Sequence, residues 1–101
     1  HNYCLNKKES GKLSLAARVE ESTSGRVLEI FTTEPGIQLY TGNFLDGTEV
    51  GKGGQKYEFR NALCLEAQHF PDSINHSQFP NTVLRKNQKY TQTTIHKFSV
   101  R

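Results

Sequence analysis

The strongest constraint on the fold is an alternation of apolar and polar residues with period two. Leu13, Leu15, Ala17 and Val19 alternate with Ser14, Ala16, Arg18 and Glu20. That spacing puts one set of side chains on each face of an extended strand and predicts a strand with one buried face. After a polar Glu21–Gly25 cluster, Arg26 to Thr33 repeats the pattern, with Leu28 and Ile30 on one face and Val27 and Phe31 on the other. So short a polar link between two strands predicts an antiparallel hairpin. No segment sustains a 3.6-residue period, and no internal repeat is present.

Further strands follow from the same pattern. His1–Leu5 reads as a short strand piece, Ile37–Thr41 as a strand after the Glu34-Pro35-Gly36 break, and Tyr90–Val100 as a Thr-rich final strand packing through Ile95, Phe98 and Val100. Pro removes a ladder donor and Gly permits positive φ, so the break is read as a turn. Thr82-Val83-Leu84 reads as a brief extended stretch. The expectation is an all-β chain of six strands, with Ala62–Gln68 as the central one.

At 101 residues the chain has room for one domain or a portion of one. Its hydrophobic fraction of 34% fits a two-faced β architecture or a piece that borrows core from elsewhere, and six Phe with four Tyr argue against disorder. The formal charge is +3, but the basic residues are spread among acidic ones and form no stripe interleaved with stacking aromatics. A nucleic-acid partner is therefore not expected. No apolar run reaches membrane-spanning length, so no membrane partner is expected either. Cys4 and Cys64 lack a CxxC spacing. A long-range disulfide is one reading and a reduced intracellular, cytoplasmic protein the simpler one. The start has no signal-peptide core and no initiator Met, which reads as a chain cut from something longer. Asn75-His76-Ser77 is a glycosylation sequon, incidental without a secretion signal.

Chemistry is confined to few places. His1, His69, His76 and His96 are dispersed, and none stands at metal-site spacing with a Cys or carboxylate, so no metal is expected. His69 and His76 flank the loop after Glu66 and read as exposed loop histidines. Gly51–Gly54 has no Walker spacing, and neither cysteine has an evident activating partner. The remaining candidates are Glu66, a carboxylate in the strand Leu63-Cys64-Leu65-Glu66-Ala67-Gln68, and Gln38, an amide between Ile37 and Leu39. A carboxylate buried without a partner costs several kcal/mol. Glu66 thus reads either as a solvent-facing or edge residue or as part of a site, and Gln38 as a structural amide or a ligand contact.

Three stretches together resemble the aldose 1-epimerases, also called galactose mutarotases. They are the opening His1-Asn2-Tyr3, Pro35-Gly36-Ile37-Gln38-Leu39-Tyr40-Thr41-Gly42-Asn43-Phe44-Leu45, and Leu63 through Asn75. The agreement in order and spacing spans nearly the whole chain. The resemblance implies the C-terminal portion of a large antiparallel β-sandwich (a galactose-mutarotase-like supersandwich) with an open cleft for a hexose. It implies interconversion of the α and β anomers of galactose or glucose without a cofactor, Glu66 as general base and Gln38 as a sugar ligand. The family's general-acid histidine, its second histidine and its substrate-binding arginine match no residue here, so the remaining N-terminal portion of the protein is an implied partner and the isolated chain is expected to be inactive. Ala67 stands where Thr is usual and Ala62 where Gly is usual. A non-catalytic carbohydrate-binding protein on the same scaffold is the alternative, and a fragment folded only against partner strands is a third.

Overall fold

In the computed structural model, which describes residues 1–101, the strands are β1 (Asn2–Cys4), β2 (Ser14–Glu20), β3 (Arg26–Thr32), β4 (Gly36–Tyr40), β5 (Cys64–Gln68) and β6 (Thr94–Val100). They form two three-stranded sheets, ordered β1-β4-β5 and β2-β3-β6, and every pairing is antiparallel. The only helical pieces are single 3-10 turns at Lys52–Gly54 and Ser73–Asn75. The all-β, antiparallel expectation is met. No helix is long and apolar enough to cross a membrane.

The β2–β3 hairpin forms as its polar link predicts. Glu21 accepts the backbone N–H groups of Thr23 and Ser24 on its two carboxylate oxygens, at 2.7 and 2.6 Å. These hydrogen bonds, with those of the Ser24 and Thr23 side chains, pull the Glu21 carboxyl down to about 2. Within β2 the alternation is interrupted. Leu15 pairs with Phe31 but Ala17 pairs with Ile30, so Ala16 is an extra residue, a β-bulge. Because side chains alternate strictly along a strand, one added residue turns Ala17 and Val19 to the opposite face from Leu15. The single apolar face read from the sequence is therefore split between two faces.

Three more expectations are corrected. β5 is an edge strand, and β4 is the centre of its sheet. Residues 82–84 belong to no strand. On β6, an edge strand, Ile95, Phe98 and Val100 are 43, 76 and 72% exposed rather than packed.

The buried interior is small. Val27, Ile30 and Ile37 are its only buried apolar residues, on the two central strands. The sheets meet across an open apolar space of about 450 Å3 lined by Leu5, Ala17, Ile37, Leu39 and Leu65 among others. Lys7 braces them by donating to the Thr32 carbonyl at 2.6 Å and to Ser14 Oγ at 2.8 Å. Desolvation there lowers the lysine's pKa, against the opposing attraction of Glu34. The radius of gyration is 16.7 Å, against about 13 Å for a compact domain of similar length. Much apolar surface is left uncovered.

Candidate active site

Register decides what the β1-β4-β5 sheet can do. Gln38 on β4 lies directly opposite Glu66 on β5 and opposite Asn2 on β1, so the three form one row across the sheet. Directly opposed residues project to the same face, with Cβ atoms about 4.5–5.5 Å apart. The next row on that face is Cys4, Gly36 and Gln68, and the row on the other side is Tyr40 and Cys64. The opposite face carries Tyr3, Ile37, Leu39, Leu65 and Ala67. The sheet is thus polar on one side and apolar on the other, as alternation requires.

Both residues singled out in the sequence are brought together. Glu66 is exposed on an edge strand, as one of its two sequence readings had it, and it belongs to none of the chain's ion pairs. Exposure removes the desolvation cost that first drew attention to it and leaves its carboxylate oxygens free to accept a hydroxyl proton. Gln38 is half-buried. Ala67 projects from the face opposite Glu66, so the exchange of Thr for Ala alters the apolar side and not the surface beside the carboxylate.

An amide network extends the row. Gln68 Nε2 donates to Asn2 Oδ1 at 3.0 Å and to Gln38 Oε1 at 3.3 Å. Gly36 makes this crossing possible. A Cβ at that position would lie 2.8 Å from Asn2 Oδ1 and 3.0 Å from the Phe70 ring. The glycine of the Pro-Gly pair is needed for space. It is not one of the glycines with positive φ, which corrects the turn reading.

Beyond Gln38 the surface falls into a concavity of about 580 Å3, bordered by His1, Tyr40, Asn43, Phe44 and Arg60. Its size lies within the usual range for small-molecule sites, about 300–1,000 Å3. Tyr40 and Phe44 stack with centroids 6.1 Å apart, and the Phe44 N–H donates to the Tyr40 hydroxyl at 3.1 Å. The loop that carries Phe44 starts at Gly42, whose φ of +68° and close approach to the Ala62 carbonyl both require glycine. Arg60, with φ of +60°, donates its N–H to the Gly42 carbonyl at 3.0 Å. No sequence pattern drew attention to Arg60 or to Phe44.

A second polar cluster lies across β4 and was also missed. Glu34, 4% exposed, sits between β3 and β4. Its Oε1 accepts from the Tyr90 hydroxyl at 2.6 Å, and its Oε2 lies 2.6 Å from His69 Nδ1. That second contact is close but is not a well-aligned hydrogen bond. His69 is therefore a half-buried partner of Glu34, not an exposed loop residue, while His76 pairs with Asp72 at 3.2 Å. No three His, Cys, Asp or Glu side chains gather as a metal-holding group, and Cys4 and Cys64 are exposed free thiols.

Comparison with known proteins gives the chain's family. The family model described as Aldose 1-epimerase matches residues 1–97. The chain belongs to the aldose 1-epimerase family. It is 54% identical to a galactose mutarotase of Mus musculus and 51% identical to one of Homo sapiens, each over 99% of this chain and 29% of the relative. It is 36% identical to an aldose 1-epimerase of Escherichia coli (strain K12), over 97% of this chain and 28% of the relative. The chain thus spans less than a third of the length of these relatives.

Proposed function

We propose that this chain is the C-terminal portion of an aldose 1-epimerase that interconverts the α and β anomers of hexoses such as galactose and glucose, with Glu66 as general base and Gln38 as sugar ligand. The observation that carries the reading is the register that sets Gln38 and Glu66 side by side on one polar face. The names of the relatives supply the reaction class, and the uncovered apolar surface fits a sheet system completed by further strands.

The chemistry asks little of the chain. Glu66 takes the proton of the anomeric hydroxyl as the bond from C1 to the ring oxygen breaks and C1 becomes an aldehyde. An acid protonates the ring oxygen. Rotation about C1–C2 and the reverse transfers close the ring on the other face. Both protons are returned, so no cofactor is consumed. Gln38 holds a neighbouring oxygen of the sugar, which fixes the anomeric hydroxyl within reach of the carboxylate. The resemblance to the aldose 1-epimerases implies that the acid comes from outside these residues, since none of His1, His69, His76 and His96 matches the family's catalytic histidines.

Polarimetry on freshly dissolved α-D-galactose tests the proposal. In the full-length protein Glu66→Gln is expected to lower kcat by about 10²–10⁴-fold, the usual worth of a general base. An unchanged rate would sink the assignment. The isolated 101-residue chain is expected to give no Glu66-dependent acceleration. Sugar affinity in a full-length protein that shows no epimerase rate would instead identify a non-catalytic carbohydrate-binding protein.

A further inference from the structure

We infer that Gln68 is the positioning residue that sets the polarity of Gln38, turning it into a hydrogen-bond donor toward the sugar. The inference rests on the reading of Gln38 as a sugar ligand and deepens it.

A carboxamide offers an acceptor at one end and two donors at the other, and the surrounding network decides which end faces a ligand. Gln68 spends its NH2 group on Asn2 Oδ1 at 3.0 Å and on Gln38 Oε1 at 3.3 Å. Each of those carbonyls is thereby turned inward, toward Gln68. Neither Gln38 Nε2 nor Asn2 Nδ2 is engaged by this relay, and both remain to face a ligand. Next to them stands Glu66, which when ionised only accepts. A hydroxylated ring laid over the row meets N–H donors for its oxygen lone pairs beside an acceptor for the proton it gives up. This polarity is what a general base needs, since an outward Gln38 carbonyl would compete with Glu66 for the same hydroxyl hydrogen. Gly36 keeps the path open, because a Cβ there would crowd Asn2 Oδ1 at 2.8 Å.

The test compares Gln68→Glu, Gln68→Met and Gln38→Ala in the full-length protein by initial rates of galactose mutarotation. A carboxylate at position 68 only accepts, so it turns the NH2 groups of Gln38 and Asn2 inward and their carbonyls outward. Gln68→Glu is expected to raise KM about tenfold, the equivalent of one reversed hydrogen bond, and to lower kcat several-fold, because the outward Gln38 carbonyl competes with Glu66 for the hydroxyl hydrogen. Acidification restores part of the affinity, because the protonated acid regains one donor. Gln68→Met, which leaves the amides unguided, is expected to raise KM about threefold. A wild-type KM in Gln68→Glu alongside a raised KM in Gln38→Ala overturns the positioning role and leaves the sugar-ligand reading standing. A wild-type KM in Gln38→Ala overturns both. Should Gln68→Glu not fold, side-chain amide exchange in the unaltered protein decides: Gln68 NH2 protons are expected to exchange more slowly than those of Gln38, and equal rates overturn the inference.

Discussion

Two glutamates of this molecule stand in opposite settings. Glu66 is exposed on an edge strand, opposite an amide and free of any ion pair. Glu34 is 4% exposed, held by the Tyr90 hydroxyl and by His69, with Lys7 within electrostatic reach. Burial ties Glu34 into the fold, and exposure leaves the Glu66 carboxylate open to solvent. A buried carboxylate is tolerated only where it has partners, and the contacts of Glu34 with Tyr90 and His69 leave it little room for a substrate. Glu34 ties the β3–β4 link to the end of β5 and to a residue that follows it by 56 positions.

The largest test of that contrast exchanges the two residues' fates. Glu34→Ala is expected to destabilise the full-length protein by about 2 kcal/mol, below the 3–5 kcal/mol quoted for breaking a fully buried pair, because His69 and Tyr90 can each turn to water. Glu66→Ala is expected to stay within about 0.5 kcal/mol, as exposed substitutions usually do, while losing turnover. Urea midpoints at constant m-value measure both. Equal destabilisation by the two substitutions would break the comparison. Loss of turnover per folded molecule in Glu34→Ala comparable to that in Glu66→Ala would draw Glu34 into the chemistry.

The unequal legibility of these glutamates has a physical source. Period-two alternation is a local property, so β2, β3, β4 and β5 could be read within a residue or two of their ends. The bulge at Ala16 could not, because an inserted residue is defined only by its partner strand. Glu66 does not incur the burial expense that a central strand would impose, since edge or centre is decided by sheet order and not by the strand's own residues. Pattern left its role open, and only the match of three segments to a family pointed to a base. Glu34 was passed over as part of a Glu-Pro-Gly turn. What buries it comes from residues 69 and 90, beyond the reach of any local pattern. Phe44 and Arg60 were likewise hidden in loops that alternation cannot describe.

A smaller effect sharpens the comparison from the partner's side. The hydrogen bond to Glu34 is the largest cause raising the Tyr90 pKa above its ordinary value, with desolvation and the carboxylate's charge adding to it. A phenol whose folded pKa lies above its unfolded one contributes stability that is fully present below the unfolded value near 10. That contribution is lost as pH rises through the folded pKa. Tyr90→Phe removes the donor and keeps the ring. Tyr90 is 59% exposed, so the cost is expected to be about 0.5–1 kcal/mol, at the low end for a hydrogen bond to a charged acceptor. The loss is the same at pH 6 and pH 8 and shrinks only as the solution becomes alkaline enough to ionise the unaltered phenol. Stability measured from pH 6 to 11 in both proteins checks the sign. A difference that grows with alkalinity would show that Tyr90 supports the fold by something other than donating to Glu34.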